Sequence, residues 1–195
     1  MSNPGSEAKA VQPSPYNLPN AITVVRILMV PVFVWLVLKN PNPNSTHAWW
    51  ATGVFVLAIA TDGLDGAIAR SRGLVTNLGK ILDPIADKAL IGSGLILLSM
   101  LNVVPWVATI LILAREIGIT VYRLIVVRKR VVAASGGGKL KTILQAVTIS
   151  FMLSPLDSWW APLGVFEQVL LWISVALTLY SGVQYVLAAF KASRG

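Results

Sequence analysis

The 195-residue sequence contains no cysteine and a single histidine, His47. The missing cysteines exclude disulfides, zinc–thiolate sites and thiol nucleophiles. One histidine in a short loop excludes a histidine pair, or a Ser–His couple, within the apolar segments. Charge is scarce as well: 12% of residues are Asp, Glu, Lys or Arg, about half the share in a soluble domain. Residues 1 to 19 are polar, carry Pro4, Pro13, Pro15 and Pro19, and lack the apolar stretch of a signal peptide. No soluble module with a basic face is present, so the net charge of +8 is not read as nucleic-acid binding. No internal repeat is evident, and the low-complexity piece is Gly136-Gly137-Gly138.

What the sequence has in abundance is apolar length. Hydrophobic residues make up 55% and mean hydropathy is +0.72. Six apolar runs follow the tail: about Ala21 to Leu38, Ala48 through Ala60 and on into the stretch from Asp62, Gly79 to Leu101, Pro105 to Val127, Leu140 to Leu153 and Leu163 to Phe190. Several approach the roughly 20 residues a helix needs to cross a bilayer. An isolated strand cannot satisfy its backbone in lipid. The expected fold is therefore all-α, an integral membrane bundle of six transmembrane helices. Residues 1–19 form a disordered or surface tail and 20–195 the membrane domain, with Asn20 as the cap of the first helix.

Basic residues set the expected orientation. The loops at 39–47, 102–104 and 154–162 hold one of them, Lys39, whereas the Arg70 to Lys80 and Arg128 to Lys141 stretches are rich in them. The positive-inside rule then places both termini and both basic loops in the cytoplasm of a multi-pass cell-membrane protein. Trp49, Trp50, Trp106, Trp159 and Trp160 fall at the opposite ends, as an interfacial belt would.

Against that apolar background, Asp62, Asp65, Asp83 and Asp87 supply half of the eight acidic residues. Carboxylates at membrane depth are costly and mark function. Counted from Ala48, Asp62 lies about 21 Å along its helix, so about 9 Å short of the cytoplasmic edge of a 30 Å core. Asp87 reaches the same depth counted back from Leu101, and Asp65 and Asp83 lie one turn nearer the cytoplasm. Asp62, Asp65, Gly66, Ala69 and Arg70 share one helical face, and Gly79, Asp83 and Asp87 another. Four carboxylates on antiparallel neighbours can form a compact square, and they repel one another unless cations neutralise them. An oxygen-only set favours Mg²⁺, with Mn²⁺ as the alternative, and two such ions beside a phosphate point to in-line displacement at phosphorus. The plainer reading is ion pairing of these residues to Arg70, Lys80 and Lys88.

The pattern D-x2-D-G-x2-A-R-x8-G-x3-D-x3-D, met at every fixed position from Asp62 to Asp87, resembles the signature of the CDP-alcohol phosphotransferases. The resemblance covers essentially the whole chain and implies a six-helix membrane enzyme. It implies that Asp62, Asp65 and Asp83 ligate a Mg²⁺ pair and that Asp87 is both ligand and general base. It places Gly66, Arg70 and Thr76, with Asp62, at the CDP moiety. The segment Leu18-Pro19-Asn20-Ala21-Ile22-Thr23-Val24-Val25-Arg26 is similar to another family segment, with Ile22 where leucine is usual. By that resemblance Asn20, Thr23 and Arg26 help to hold the nucleotide. The resemblance further implies a homodimer, which the small residues Gly92, Ser93 and Gly94 would let pack closely.

Two segments bear on the acceptor. Ala114-Arg115-Glu116-Ile117 and Gly138-Lys139-Leu140-Lys141-Thr142 look like the branch of the family that uses sn-glycerol 3-phosphate with CDP-diacylglycerol. A phosphorylated acceptor needs cations beyond those for the donor, and Arg115, Arg123, Lys139 and Lys141 supply them. Neighbouring residues do not face each other on a helix, which argues against pairing of Arg115 with Glu116. Gly136 and Gly137 read as a flexible loop. Phosphatidylglycerol or inositol phosphate as acceptor keeps the same chemistry, and an ion-coupled transporter is the reading from a different class.

Overall fold

The computed structural model describes residues 17–42, 44–71, 74, 76–126, 137–160 and 162–193, with the backbone alone described at 64–67, 69, 70, 77, 80, 123–126, 137–139 and 189–193. Six helices account for nearly all of it: α1 (Leu18–Lys39), α2 (Thr46–Ser71), α3 (Asn77–Met100), α4 (Trp106–Val126), α5 (Gly137–Leu153) and α6 (Pro162–Ser193). No strand occurs among the described residues. Among the described residues two helices are long and apolar enough to cross a membrane, Leu18–Lys39 and Pro162–Ala188.

The helices run alternately up and down. α1 packs on α2 and α3, α6 on α4 and α5, and contacts of α5 with α2 and α3 join the two halves. The carboxylates of Asp62, Asp83 and Asp87 thus fall toward one end of the bundle, with the start of α1 and the finish of α6. The opposite end carries the turns, including a left-handed Asn102 at φ 59° between α3 and α4, a conformation asparagine tolerates better than most residues.

The apolar core lies toward that opposite end. Phe33 of α1 meets Phe55 of α2 with ring centroids 5.3 Å apart, and Leu95, Leu98, Ala108, Ile112, Ile149 and Leu171 pack into the same cluster. Full burial of such a side chain is worth about 1.5–3 kcal/mol by area in water; within lipid, close packing of shapes carries more of the stabilisation. Between core and site runs a polar seam: Gln145 Nε2 donates to Thr178 Oγ1 at 2.8 Å, and the Thr148 and Ser174 hydroxyls lie 3.1 Å apart. Many large apolar side chains point outward instead, among them Leu28, Val32, Trp35, Ile110, Trp172 and Tyr180. Trp49, Trp50, Trp106, Trp159 and Trp160 are all exposed at the far end, with the Trp49 and Trp159 rings tilted against each other at 5.6 Å between centroids.

Two local expectations are corrected. Asn17, not Asn20, caps α1: its side chain accepts from the Asn20 amide at 3.0 Å, while its own amide donates to the Leu74 carbonyl at 3.1 Å. The two asparagines are three apart, and the tertiary bond to the α2–α3 connection decides between them. α5 opens at Gly137, so Gly137 and Gly138 are helical despite glycine's low propensity. Gly92 and Gly94 serve contacts inside the chain: a Cβ on Gly94 would stand 3.0 Å from Ile149 and 3.1 Å from Phe55, and one on Gly92 3.5 Å from Leu113. The tail to residue 16 and the 127–136 loop lie outside the described residues.

Candidate active site

The face of α1 that begins at Asn20 is turned onto the acidic stretch. Asn20 Nδ2 donates to Thr76 Oγ1 at 2.9 Å, and the Thr76 hydroxyl lies 3.0 Å from Asn20 Oδ1. Thr76 also caps α3 by accepting from the Gly79 amide at 3.0 Å. Both side chains are buried, so they fix the junction of α1 with the start of α3. One turn on, Thr23 Oγ1 donates to Asp83 Oδ1 at 2.9 Å. A turn further, Arg26, only 1% exposed, is ion-paired to Asp62, whose side chain is 49% exposed. Arg26 is thus a guanidinium sunk in the bundle that presents a carboxylate at the surface of the site.

Gly79 explains itself in this geometry. A Cβ there would come within 2.8 Å of Asn20 Oδ1 and 3.3 Å of Thr76 Oγ1. Pro84 sits inside α3 between Asp83 and Asp87, where its ring removes one helical hydrogen bond without ending the helix.

Asp87 lines a cavity of about 360 Å³ among α3, α4 and α5, lined also by Lys88, Ser93, Glu116, Thr142 and Gln145. It lies within electrostatic reach of Lys88, Asp62, Glu116 and Lys141. Asp87 therefore links the carboxylates of α2 and α3 to a second charged group on α4 and α5.

That second group is centred on Glu116. Arg115 Nη1 lies 2.9 Å from Glu116 Oε1, Lys88 Nζ lies 3.8 Å from Oε2, and Lys141 Nζ also bonds Oε1. Arg115 Nη2 donates to Ser181 Oγ of α6 at 2.6 Å, and its buried Nε has no hydrogen-bond partner among the described residues. The expectation that Arg115 and Glu116 do not meet is overturned. The spacing rule concerns Cβ directions, and the long arginine arm folds back along the helix surface to reach its neighbour. Among the described residues Lys88 pairs with Glu116 and with no aspartate. Sequence reasoning missed Glu116 as a member of the site; the available signal was a lone carboxylate among basic residues at mid-helix.

Of the expected site residues, the structure brings together Asn20 with Thr76, Thr23 with Asp83, Arg26 with Asp62, and Arg115 with Lys141. The side chains of Asp65, Gly66, Arg70, Arg123 and Lys139 lie outside the described residues. Among the described residues no group of three or more acidic or histidine side chains is close enough to hold a metal ion. The donor chemistry still fits a hard divalent cation: Asp62, Asp83 and Asp87 offer only carboxylate oxygens on facing helices, and Asp62 is open to a ligand.

Comparison with known proteins finds relatives along nearly the whole chain. A Mycobacterium tuberculosis protein named probable phosphatidylglycerophosphate synthase is 46% identical over 175 residues, spanning 90% of this chain and 82% of its own. Proteins of Bacillus subtilis and Rickettsia typhi, each named CDP-diacylglycerol–glycerol-3-phosphate 3-phosphatidyltransferase, are 37% and 39% identical, spanning 87% and 91% of this chain and 93% and 97% of their own. Residues 16–180 match the family model for CDP-alcohol phosphatidyltransferase. The chain belongs to the CDP-alcohol phosphatidyltransferase family and is an enzyme of that class.

Proposed function

We propose that this enzyme transfers the phosphatidyl group of CDP-diacylglycerol to sn-glycerol 3-phosphate, releasing CMP and leaving phosphatidylglycerol phosphate in the membrane. The observation that carries the reading is the cavity lined by Asp87, Lys88 and Glu116, with Arg115 and Lys141 paired to Glu116 behind it. It sets a base beside basic residues suited to a phosphorylated acceptor. The names of the relatives support the same pair of substrates.

In this reading Asp87 accepts the proton of the acceptor hydroxyl, and that oxygen attacks the β-phosphorus of the donor. The bond from the β-phosphorus to the bridging oxygen breaks, and CMP leaves with the electron pair. Arg26 holds Asp62, and Thr23 holds Asp83, in fixed directions, which limits reorganisation during the reaction. Asn20, Thr23, Arg26, Asp62, Gly66, Arg70 and Thr76 are assigned to the CDP moiety. Arg115, Arg123, Lys139 and Lys141 are assigned to the acceptor phosphate. The family generally depends on a divalent metal; a Mg²⁺ or Mn²⁺ pair on Asp62, Asp65, Asp83 and Asp87 would neutralise the diphosphate and the leaving group.

The protein belongs in a membrane: two helices can span one, and the outward faces are apolar where a soluble monomer would be polar. We place all six helices across the cell membrane, with both termini and the active site on the cytoplasmic side, from the distribution of Lys and Arg. A homodimer is the expected assembly, to be checked by crosslinking in native membranes.

The deciding experiment supplies purified protein, Mg²⁺ and CDP-diacylglycerol with each of three acceptors: sn-glycerol 3-phosphate, phosphatidylglycerol and inositol phosphate. CMP release with the first supports the proposal. Release with either of the others alone overturns the choice of acceptor, and no release with any of them reopens the transporter reading.

A further inference from the structure

Glu116 takes no part in the reaction as set out above, yet basic side chains from three helices converge on its carboxylate. Arg115 approaches from α4, Lys88 from α3 and Lys141 from α5, and the Glu116 side chain is 14% exposed. A counter-ion for one buried cation would need one partner. Here one carboxylate gathers three, and the same carboxylate lines the cavity that holds Asp87.

The charge count is informative. Three cations and one carboxylate leave two positive charges on the patch. A phosphate monoester carries about −1.5 to −2 near neutral pH. Without Glu116 the three cations would repel one another in a low-dielectric surrounding. Arg115 would stay, because Ser181 of α6 holds its other end. Lys88 and Lys141 have no second hydrogen bond among the described contacts, and the nearby Asp87 carboxylate would then draw them away from Arg115.

We propose that Glu116 is a positioning residue for the acceptor. It gathers Arg115, Lys88 and Lys141 into one patch beside the cavity, whose wall Glu116 and Lys88 themselves line, and it trims their charge to match a phosphate-monoester dianion. Lys88 adjoins Asp87 and lines the same cavity, so an acceptor phosphate bound to the patch keeps its hydroxyl near Asp87. The inference rests on the proposed reaction and names the residue that sets acceptor affinity within it.

The test uses the purified full-length enzyme in detergent with Mg²⁺, CDP-diacylglycerol and titrated sn-glycerol 3-phosphate. Glu116→Gln is expected to raise KM for sn-glycerol 3-phosphate about tenfold or more, with kcat changed less than about threefold and KM for CDP-diacylglycerol unchanged. Glu116→Asp keeps the charge but shortens the reach, and is expected to fall between the two. An unchanged or lowered acceptor KM overturns the proposal. So does an equal rise for both substrates, which would mark a merely structural role. If Glu116→Gln does not fold, Glu116→Asp is read by the same criteria. Should the wild-type enzyme reject sn-glycerol 3-phosphate but accept another phosphate monoester, the reaction reading fails and the Glu116 comparison is made with that acceptor. An acceptor lacking a phosphate monoester overturns both.

Discussion

Asn20 and Thr76 are joined twice, by an amide-to-hydroxyl bond of 2.9 Å and a hydroxyl-to-carbonyl bond of 3.0 Å, across fifty-six residues of sequence. That pair sits directly over Gly79, whose missing side chain is the space the asparagine occupies. The start of α3 and the inner end of α1 are therefore one unit, and the carboxylates of α3 take their direction from it.

Gly79→Ala should lower stability, although helix propensity alone favours alanine by roughly 1 kcal/mol. The 2.8 Å approach to Asn20 Oδ1 decides the sign, because Thr76 pins that side chain and it cannot retreat. The expected net loss is about 1–3 kcal/mol, typical of overpacking, with a raised KM for CDP-diacylglycerol. Gly53→Ala, where no atom lies within 4 Å, is the matched control and should hold or raise the unfolding midpoint. Equal midpoints for the two variants would contradict this account.

Arg26→Lys should be a severe change. The guanidinium is buried and points at Asp62, and an ammonium on a shorter, narrower head does not reproduce that donor geometry. Loss of one charge-assisted bond, at about 1.5–3 kcal/mol, predicts a fall of tenfold or more in kcat/KM for CDP-diacylglycerol. The acceptor KM should not move. Activity near wild type in the lysine variant would show that Arg26 serves packing alone.

Asp87→Asn should reduce turnover by about 10²–10⁴-fold, the range for removal of a general base, while labelled CDP-diacylglycerol still binds. CMP release and lipid binding, measured on one preparation, separate the two effects. Normal turnover would refute the assignment of Asp87 as base.

Chelation of divalent ions should abolish CMP release, and Mg²⁺ or Mn²⁺ should restore it. The same addition should raise the unfolding midpoint, because the ion neutralises carboxylates that otherwise repel; at about a hundredfold excess over its dissociation constant the gain is about 2.7 kcal/mol. Turnover that survives exhaustive chelation would remove the metal from the mechanism.

The helices were legible because each apolar run is long and bounded by polar loops, so the six elements fall close to their expected limits. The α1 face was legible for a related reason: Asn20, Thr23 and Arg26 recur at helical spacing, and each meets a partner in the acidic region. The Glu116 group was not legible. Its members come from α3, α4 and α5, and no periodicity along one chain segment reports a meeting of three helices. The cap of α1 failed in the same way, since Asn17 and Asn20 are chemically identical and only the distant Leu74 carbonyl tells them apart.

The placement of the apolar core has a consequence for how such an enzyme can change. Phe33, Phe55, Leu98 and Ile149 clamp the helices at one end, while the charged residues occupy the other. The reactive end is therefore carried like the jaws of a tool whose pivot lies elsewhere. Residues at the jaws can be exchanged for a different alcohol without loosening the pivot, so one scaffold can serve many acceptors.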